Sequence, residues 1–244
     1  MRVALVVHKY PPASVGGTEI YTQNLARELS ARNHQVFVFY RDDGGSTGQS
    51  QVKWEQRDGA RLCQVLRAYD PETASPAAQF LDTFLNADVE QAFGTFLDEA
   101  KPDVVHFQHV ALLSYRLIGQ AKNAGLPVVL TLHDYWFQCS VSQLVWPNAQ
   151  VCRGKALGLN CARCVLTARV RPSLLPFLRP LAAPLLQVRD ALVKGAALEA
   201  DMLIAPSQFL IQKYIEVGFP PQATVHLENG IEVERIQRYR HRPS

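Results

Sequence analysis

The chain has 244 residues, of which 48% are hydrophobic, and this apolar content is enough for one large or two small domains with a substantial core. A formal net charge of only +3 argues against a generally basic nucleic-acid-binding protein, so no nucleic-acid partner is expected. The five cysteines favour metal binding, catalysis or simple burial over disulfides.

Short apolar runs alternate with helical patterns along most of the chain. VALVV and QVFVFY show no polar alternation, which is typical of parallel strands covered on both faces, and the helical spacing of Tyr21, Leu25 and Leu29 lies between them. Further strands are predicted in ARLCQVL, DVVHF, PVVLTLH, MLIA and ATVHL, with helical patterns between most of them. This order predicts an α/β protein with a doubly wound, mostly parallel, Rossmann-like sheet and a Cys-rich insertion.

Polar side chains follow three of the predicted strands directly. His8 follows VALVV, His109 follows DVVHF, and His133 with Asp134 follows VVLTL. Ligands of open α/β sheets bind beyond the carboxyl ends of the strands, near the point where the strand order reverses. These ends are therefore the first place to expect chemistry, although a histidine there can also be structural.

The loop YPPASVGGTEI joins the first strand to the first helix. Its free backbone N–H groups and the positive end of the helix dipole predict an anion site, and Gly16 and Gly17 would let a phosphate approach the main chain or adopt positive φ. Thr18 or Glu19 is predicted to begin the helix. A tight turn without a ligand is the alternative. No G-x-G-x-x-G or G-x-x-x-x-G-K-[ST] pattern is present, which argues against an oxidoreductase or a P-loop ATPase.

Five segments together resemble the amino-terminal half of a retaining, family 4 glycosyltransferase with the GT-B fold. They are PPASVGGTEIYTQNLARELSARNHQVFVF, PDVVHFQH, PVVLTLHDYWFQC, APSQF and ENGI, and the likeness runs from Met1 to about Ile231. The resemblance implies two Rossmann-like domains that face each other across a cleft. The first mainly holds a saccharide or lipid-linked acceptor, and the second holds a UDP- or GDP-linked sugar donor.

The same resemblance implies roles for particular residues. A histidine that follows the fourth strand lies near the reacting carbon in that family, which implies His109 as the catalytic histidine. Relatives often read H-x-H there, whereas this chain has His106-Phe107-Gln108-His109, and His106, inside the strand, is then expected to be structural. No catalytic metal is expected. The implied contacts are donor phosphate and sugar at Gly16 and Gly17, and acceptor at Glu19, His133 and Asp134. The alternatives for the three acceptor residues are ordinary structural roles at a helix start, at a strand end and in a loop.

The resemblance also sets the expected domain organisation. Residues 1–231 are predicted to form the acceptor-side domain, with an insertion at about 135–184, and residues 232–244 a linker remnant toward a donor domain supplied in cis or in trans. By itself the chain is expected to turn over poorly or not at all. A non-catalytic module that binds a saccharide or a partner and carries a structural zinc site is the alternative.

Four of the five cysteines fall within the predicted insertion, at Cys139, Cys152, Cys161 and Cys164. Cys161-x2-Cys164 has the spacing of a metal knuckle, and two further loop thiols complete a possible tetrahedral set. A structural zinc ion is predicted, since the insertion has too little apolar periodicity to hold itself together. Reduced thiols, a disulfide formed on isolation, and an iron–sulfur cluster are the alternatives.

A basic, proline-spaced stretch follows the cysteines. Eight Lys or Arg stand against one acid between Val151 and Lys194, and prolines at 172, 176, 180 and 184 predict that no regular helix runs through Pro184. Arginines between Leu and Phe suit the surface of an anionic membrane, and packing of the apolar residues against a protein domain is the alternative. With no uninterrupted spanning segment and no signal-like amino terminus, a cytoplasmic protein is expected, and the basic stretch adds the expectation of peripheral contact with the inner face of the membrane.

Overall fold

The computed structural model describes residues 1–42, 50–67, 69, 72–167 and 170–230. Within these residues one sheet carries helices on both faces. The strands are β1 Arg2–Val6, β2 Gln35–Asp42, β3 Gln51–Arg57, β4 Ala60–Leu66, β5 Val104–Phe107, β6 Val128–Thr131, β7 Met202–Ala205 and β8 Thr224–His226. The helices are α1 Gly17–Ala31, α2 Pro76–Asp82, α3 Ala87–Ala100, α4 Arg116–Asn123, α5 Leu159–Thr167, α6 Leu175–Ala197 and α7 Gln208–Ile215.

The strand order is β3-β4-β2-β1-β5-β6-β7-β8. Every neighbouring pair is parallel except β3 and β4, which are antiparallel. The chain moves outward from β1 to β2 on one side and restarts at β5 on the other. The strand order therefore reverses between β1 and β5, and the predicted doubly wound, mostly parallel α/β fold is confirmed.

The sheet separates two hydrophobic cores. Leu5, Val38 and Leu62 point toward the side that α1 covers, while Phe39 and Phe107 point toward the side of α3. All five side chains are fully buried. Alternate residues of each central strand thus enter opposite cores, which explains why VALVV and QVFVFY are apolar throughout.

Strand β3 was not predicted from the sequence, because most of its residues are exposed at the sheet edge. It forms a hairpin with β4 through Asp58 and Gly59, whose φ angles are 56° and 73°. An Asp-Gly pair is a strong hairpin signal, since both central residues of such a turn need positive φ. The short helix α2, with Ser75 as its N-cap, was also missed.

The expectation that prolines exclude a helix through Pro184 is wrong. Helix α6 contains Pro180 and Pro184. Pro176, Pro180 and Pro184 follow a four-residue period, so they lie along one side of the helix, and all three are exposed. The lost amide donors therefore fall on the outer face. The inner face is stabilised by the packing of Ala183 and Leu186 against Ala162 of α5.

Helix α6 also anchors the segment that contains the four cysteines. The Asp190 carboxylate accepts a hydrogen bond from Ser140 Oγ at 3.1 Å and pairs with Lys155 Nζ at 2.7 Å. Gly158, at φ +83°, lies so close to the carbonyl oxygen of Ala183 that no Cβ would fit. No helix among the described residues is long and apolar enough to cross a membrane. The predicted linker at 232–244 lies outside the described residues.

Candidate active site

Three histidines meet where β1, β5 and β6 end. These strands are neighbours in the sheet, so the residues that follow them, His8, His109 and His133, lie at one edge. The rings of His8 and His109 have centroids 4.9 Å apart. This edge is also where the strand order reverses, the usual position of ligands in such folds.

His109 is buried and is held by two hydrogen bonds. Its Nδ1 accepts the backbone N–H of Ala111 at 3.1 Å, so its Nε2 carries the proton and points to Asp134 Oδ2 at 3.3 Å. Asp134 Oδ1 accepts the N–H of Trp136 at 2.8 Å. Burial opposes ionisation of Asp134, but the contact with His109 and the N–H of Trp136 lower the pKa of its carboxyl below the usual range. The pair is therefore a neutral-tautomer imidazole directed at an ionised carboxylate.

The glycine loop is connected to this pair through His8 and Glu19. Glu19 is only 5% exposed, accepts a hydrogen bond from Ser14 Oγ at 2.8 Å, and lies 3.5 Å from His8 Nε2. Burial and the neighbouring His109 lower the pKa of His8 to about 4, so this ring is neutral at pH 7. The carboxylate of Glu19 thus folds back under the loop, and its predicted contact with an acceptor stays a prediction.

Gly16 and Gly17 have different surroundings. Gly16 is the N-cap of α1, with φ −113°, and an added Cβ would lie less than 3.0 Å from Glu19 Oε2. At Gly17, the first residue of α1, an added Cβ would meet nothing within 4 Å. Neither glycine uses the positive φ that glycine permits, and α1 begins at Gly17, one residue before the predicted Thr18. Gly16 is required by the packing of Glu19, whereas Gly17 leaves open space at the helix terminus.

His133 lies behind the His109–Asp134 pair. Its Nε2 donates to Gln108 Oε1 at 2.9 Å, and its ring packs edge-on against Tyr21 at 5.1 Å. Burial lowers the pKa of His133 to about 4. Gln108 is fully buried and corresponds to the middle residue of the H-x-H pattern. The arrangement makes His133 a neutral ring held between the ends of β5, β6 and the first turns of α1.

His106 has the structural role that was expected. Its Nε2 bonds Thr131 Oγ1 at 2.8 Å inside the sheet, and burial lowers the pKa of its ring to about 3. The sequence did not single out Gln108, Trp136 or Tyr214, although each supports the site. Trp136 packs against His109 with centroids 5.5 Å apart, and Tyr214 donates its hydroxyl to the carbonyl of Asp134 at 2.7 Å. The signal for Trp136 was its place in HDYWF, directly after a strand end.

The glycine loop and the histidine that follows β5 therefore belong to one cluster. Its members form a continuous chain of contacts at the carboxyl edge of the sheet. In chain order they are His8, Ser14, Gly16, Glu19, His109 and Asp134. The cluster combines a helix amino terminus, which attracts anions, with an imidazole whose N–H holds the partly exposed carboxylate of Asp134, which can accept a hydrogen bond from a hydroxyl.

The four cysteines of the insertion lie together, away from the histidine cluster. All four line one small cavity of about 20 Å³, and none is disulfide-bonded. In the described part of the chain, no group of three or more His, Cys, Asp or Glu side chains is already arranged to hold a metal ion. The lining cysteines are Cys139, Cys152, Cys161 and Cys164.

Residues 15–235 match the family profile described as Glycosyltransferase Family 4. An uncharacterized 42.6 kDa protein of the cps region of Klebsiella pneumoniae is 25% identical over 154 residues, which are 62% of this chain and 39% of that protein. Glycogen synthase of Mycobacterium tuberculosis is 27% identical over 143 residues, 54% of this chain and 33% of that protein.

Two solved structures share the fold across almost the whole chain. Sucrose-phosphate synthase from Thermosynechococcus elongatus superposes with a TM-score of 0.53 at 17% identity, covering 99% of this chain and 52% of that one. A trehalose-6-phosphate synthase gives a TM-score of 0.51 at 12% identity, covering 100% and 52%. The chain thus spans about half the length of these structures and a third to two fifths of the curated relatives it matches.

Proposed function

Because this chain belongs to glycosyltransferase family 4, we propose that it is the acceptor-side half of an enzyme that moves a hexosyl group from a nucleotide sugar to a saccharide or lipid-linked acceptor with retention. The observation that carries the proposal is the contact chain from the glycine loop through His8 to His109 and Asp134. It brings an anion-attracting helix terminus and a positioned imidazole to one edge of the sheet.

A donor domain is part of the proposal. The chain spans about half of the GT-B structures with which it superposes, so a second Rossmann-like domain, in cis or in trans, would complete the cleft and hold most of a UDP- or GDP-linked sugar. By itself the chain would have little or no turnover.

The role proposed for α1 is to bind the donor diphosphate. The first backbone N–H groups of a helix have no partner within it, and the N-cap Gly16 makes no side-chain capping hydrogen bond. Space in front of Gly17 is open. Phosphate oxygens placed there would accept charge-assisted hydrogen bonds and would be stabilised further as the phosphate leaves with negative charge.

The role proposed for His109 is positioning. Its Nε2–H points to Asp134, whose side chain is 39% exposed. A hydroxyl of the acceptor or of the donor sugar can therefore approach the exposed carboxylate and form a hydrogen bond with it. The carboxylate of Asp134 would accept the acceptor hydroxyl's hydrogen bond, while His109 orients that carboxylate. Correct placement of the two reacting groups accounts for much of the rate enhancement in such reactions.

The test uses the chain together with its donor domain and compares Gly17→Val with Gly17→Ala. A hydrogen bond to a charged group contributes about 1.5 to 3 kcal/mol, so blocking the N–H groups with valine should raise the Kd for a UDP-sugar or a GDP-sugar by roughly 10- to 150-fold. Alanine should have a smaller effect. Calorimetric titration of both sugars also identifies the nucleotide. Unchanged donor affinity in Gly17→Val overturns the placement of the diphosphate.

A non-catalytic module that recognises a saccharide or a partner is the competing function. Loss of turnover in His109→Ala, with donor Kd within about twofold of the parent, supports catalysis because a binding module has no turnover to lose. Absence of hexosyl transfer by the parent protein, with saccharide binding retained, supports the competing function.

We further propose that the acceptor is lipid-linked and that α6 rests on an anionic bilayer from the cytoplasmic side. The outer face of α6 carries exposed apolar side chains three or four residues apart over about five turns. They are Leu174, Phe177, Leu181, Leu185, Val188 and Leu192, with exposures between 40% and 73%.

Charge favours a lipid surface over a protein partner for this face. From Cys139 to Leu198 the sequence contains one acid, Asp190, and that residue is buried and paired. Arg171, exposed just before the face begins, supplies positive charge at its amino-terminal end. Arg179 is half-buried on the opposite side of the helix, with its Nε enclosed. Apolar side chains flanked by arginine suit the boundary between acyl chains and anionic headgroups.

Vesicle sedimentation tests the lipid proposal. The protein should pellet with phosphatidylcholine vesicles that contain phosphatidylglycerol and not with pure phosphatidylcholine. Phe177→Ser with Leu181→Ser should abolish pelleting, while Phe209→Ser, an equally exposed aromatic on α7, should not. Failure to pellet, or a dimer that the double variant dissociates, contradicts the proposal, and the second result would identify another copy as the occupant.

A further inference from the structure

We propose that Cys139, Cys152, Cys161 and Cys164 bind one structural zinc ion that holds the insertion in its folded conformation. The inference is independent of the glycosyl-transfer chemistry, because none of the four belongs to the histidine cluster. Three different elements supply the thiols: the loop after β6, the bridge between Val145 and Val151, and α5.

The chemistry of the cavity fits a thiolate-bound ion. Its volume of about 20 Å³ has room for a single atom, and four sulfur atoms are the donor set of structural zinc sites. Most of the remaining lining is apolar, with Val141, Leu144, Val145 and Val165. The four thiols line this cavity without being arranged for coordination, so binding the ion would require them to converge on it.

A backbone donor supports one of the proposed ligands. The N–H of Gly154 points to Cys152 Sγ at 3.4 Å, and Gly154 has φ +116°, a conformation that favours glycine. The same thiol donates to the carbonyl oxygen of Gly154 at 3.6 Å. When a metal displaces that proton, the amide would remain as a hydrogen bond of the kind that tunes metal ligands. Cys161 and Cys164 lie one turn apart on α5, so both sulfurs can reach the same side.

The local charges also suit a four-thiolate zinc site, whose net charge is about −2. Arg153 is exposed beside Cys152, and Arg163 stands between the two helical cysteines with its guanidinium 4.6 Å from the Trp146 ring. Lys155 completes the set and is paired with Asp190. These cations offset the charge that the thiolates bring.

The backbone of the insertion needs a constraint that its small core does not supply. Of nine described non-glycine residues with positive φ, five lie between positions 142 and 157. Such conformations cost on the order of 1 kcal/mol each and persist only where the surroundings fix them. The buried core of the insertion consists of Ala162, Ala183 and Leu186. An ion that joins three elements would supply the missing constraint.

Metal analysis of the whole chain, purified under reducing conditions, tests the inference. About one zinc per chain is expected, and a thiol reagent should react with the four thiols only after a chelator removes the metal. Co²⁺ added to the chelated protein should give the intense visible bands of tetrahedral thiolate coordination. This reconstitution needs no variant, so it remains informative even if the substitutions fail to fold.

Single substitutions complete the test. Cys161→Ser and Cys164→Ser should each lose the bound zinc and lower Tm, whereas Cys63→Ser, in β4 and outside the cavity, should keep the metal. Four freely reactive thiols with no metal, a disulfide within the set, or bound iron with sulfide each overturns the zinc assignment.

Discussion

Replacing Gly16 with alanine tests whether the glycine loop is held by the buried carboxylate of Glu19. The new Cβ would lie less than 3.0 Å from Glu19 Oε2, so the carboxylate must move. Moving it breaks the 2.8 Å hydrogen bond from Ser14 Oγ. Such a bond contributes about 0.5 to 1.5 kcal/mol, and a buried group left unsatisfied costs about 1 to 3 kcal/mol. We expect Gly16→Ala to reduce the free energy of unfolding by about 1 to 2 kcal/mol.

Thermal unfolding of four variants measures this effect. For a chain of this size, 1 kcal/mol corresponds to a change in Tm of about 2 to 4 °C. Gly16→Ala should therefore lower Tm by roughly 2 to 8 °C, while Gly17→Ala, whose Cβ meets nothing within 4 Å, should leave it unchanged or slightly raised. In a Glu19→Ala background the cost of Gly16→Ala should largely disappear, because the colliding carboxylate is gone.

Two results would refute this reasoning. Equal Tm values for Gly16→Ala and Gly17→Ala would mean that the close approach of Glu19 does not matter for the fold. Equal costs of Gly16→Ala with and without the Glu19 side chain would mean that the glycine is required for another reason, such as its backbone conformation.

Two further predictions concern stability. Burial lowers the folded pKa of His106 to about 3 and of His133 to about 4. Below about pH 6.5 the unfolded chain binds protons at these rings that the folded chain does not bind. The contribution of the two neutral rings to the free energy of unfolding is therefore fully present above that pH, and it falls by up to about 1.4 kcal/mol per pH unit for each ring as the pH drops toward 4. Denaturant unfolding at pH 7 and 5 measures how much the free energy of unfolding falls between these pH values. The fall should be smaller in His133→Gln than in the exposed control His226→Gln, and equal falls would contradict the prediction. Asp82→Ala should cost about 3 to 5 kcal/mol, because it removes the carboxylate that pairs with the buried Arg41 and the half-buried Arg67. Glu99→Ala, from an exposed pair with Arg61, should cost less than about 1 kcal/mol, and a similar cost for both variants would be inconsistent with the burial.

The central strands could be predicted because burial on both faces removes polar residues from a parallel strand. Strand β3 could not be found by that criterion, since Lys53, Glu55 and Gln56 are exposed at the sheet edge, and only the Asp58-Gly59 turn marked it. The rule against proline in helices failed for α6 for a geometric reason. Proline removes an amide donor on any face of a helix, but the four-residue period places Pro176, Pro180 and Pro184 on the exposed side, where water can bind the carbonyl groups that lose their donors.

The sequence predicted where the residues of the candidate site lie, but it did not predict which of them contact one another. His109 and Asp134 could be assigned to strand ends, because the sequence shows where each strand stops. Their contact depends on β5 and β6 being neighbours, and the burial of Glu19 depends on how the preceding loop folds back. Both are properties of the assembled chain, which local patterns do not contain.

The contacts of Asp190 have a consequence for how the insertion moves. Its carboxylate, on α6, accepts a hydrogen bond from Ser140, which is next to Cys139, and forms an ion pair with Lys155, three residues after Cys152. The thiol cavity and α6 are therefore linked through the carboxylate of Asp190. If both proposals hold, removing the ion should also weaken the binding of α6 to vesicles.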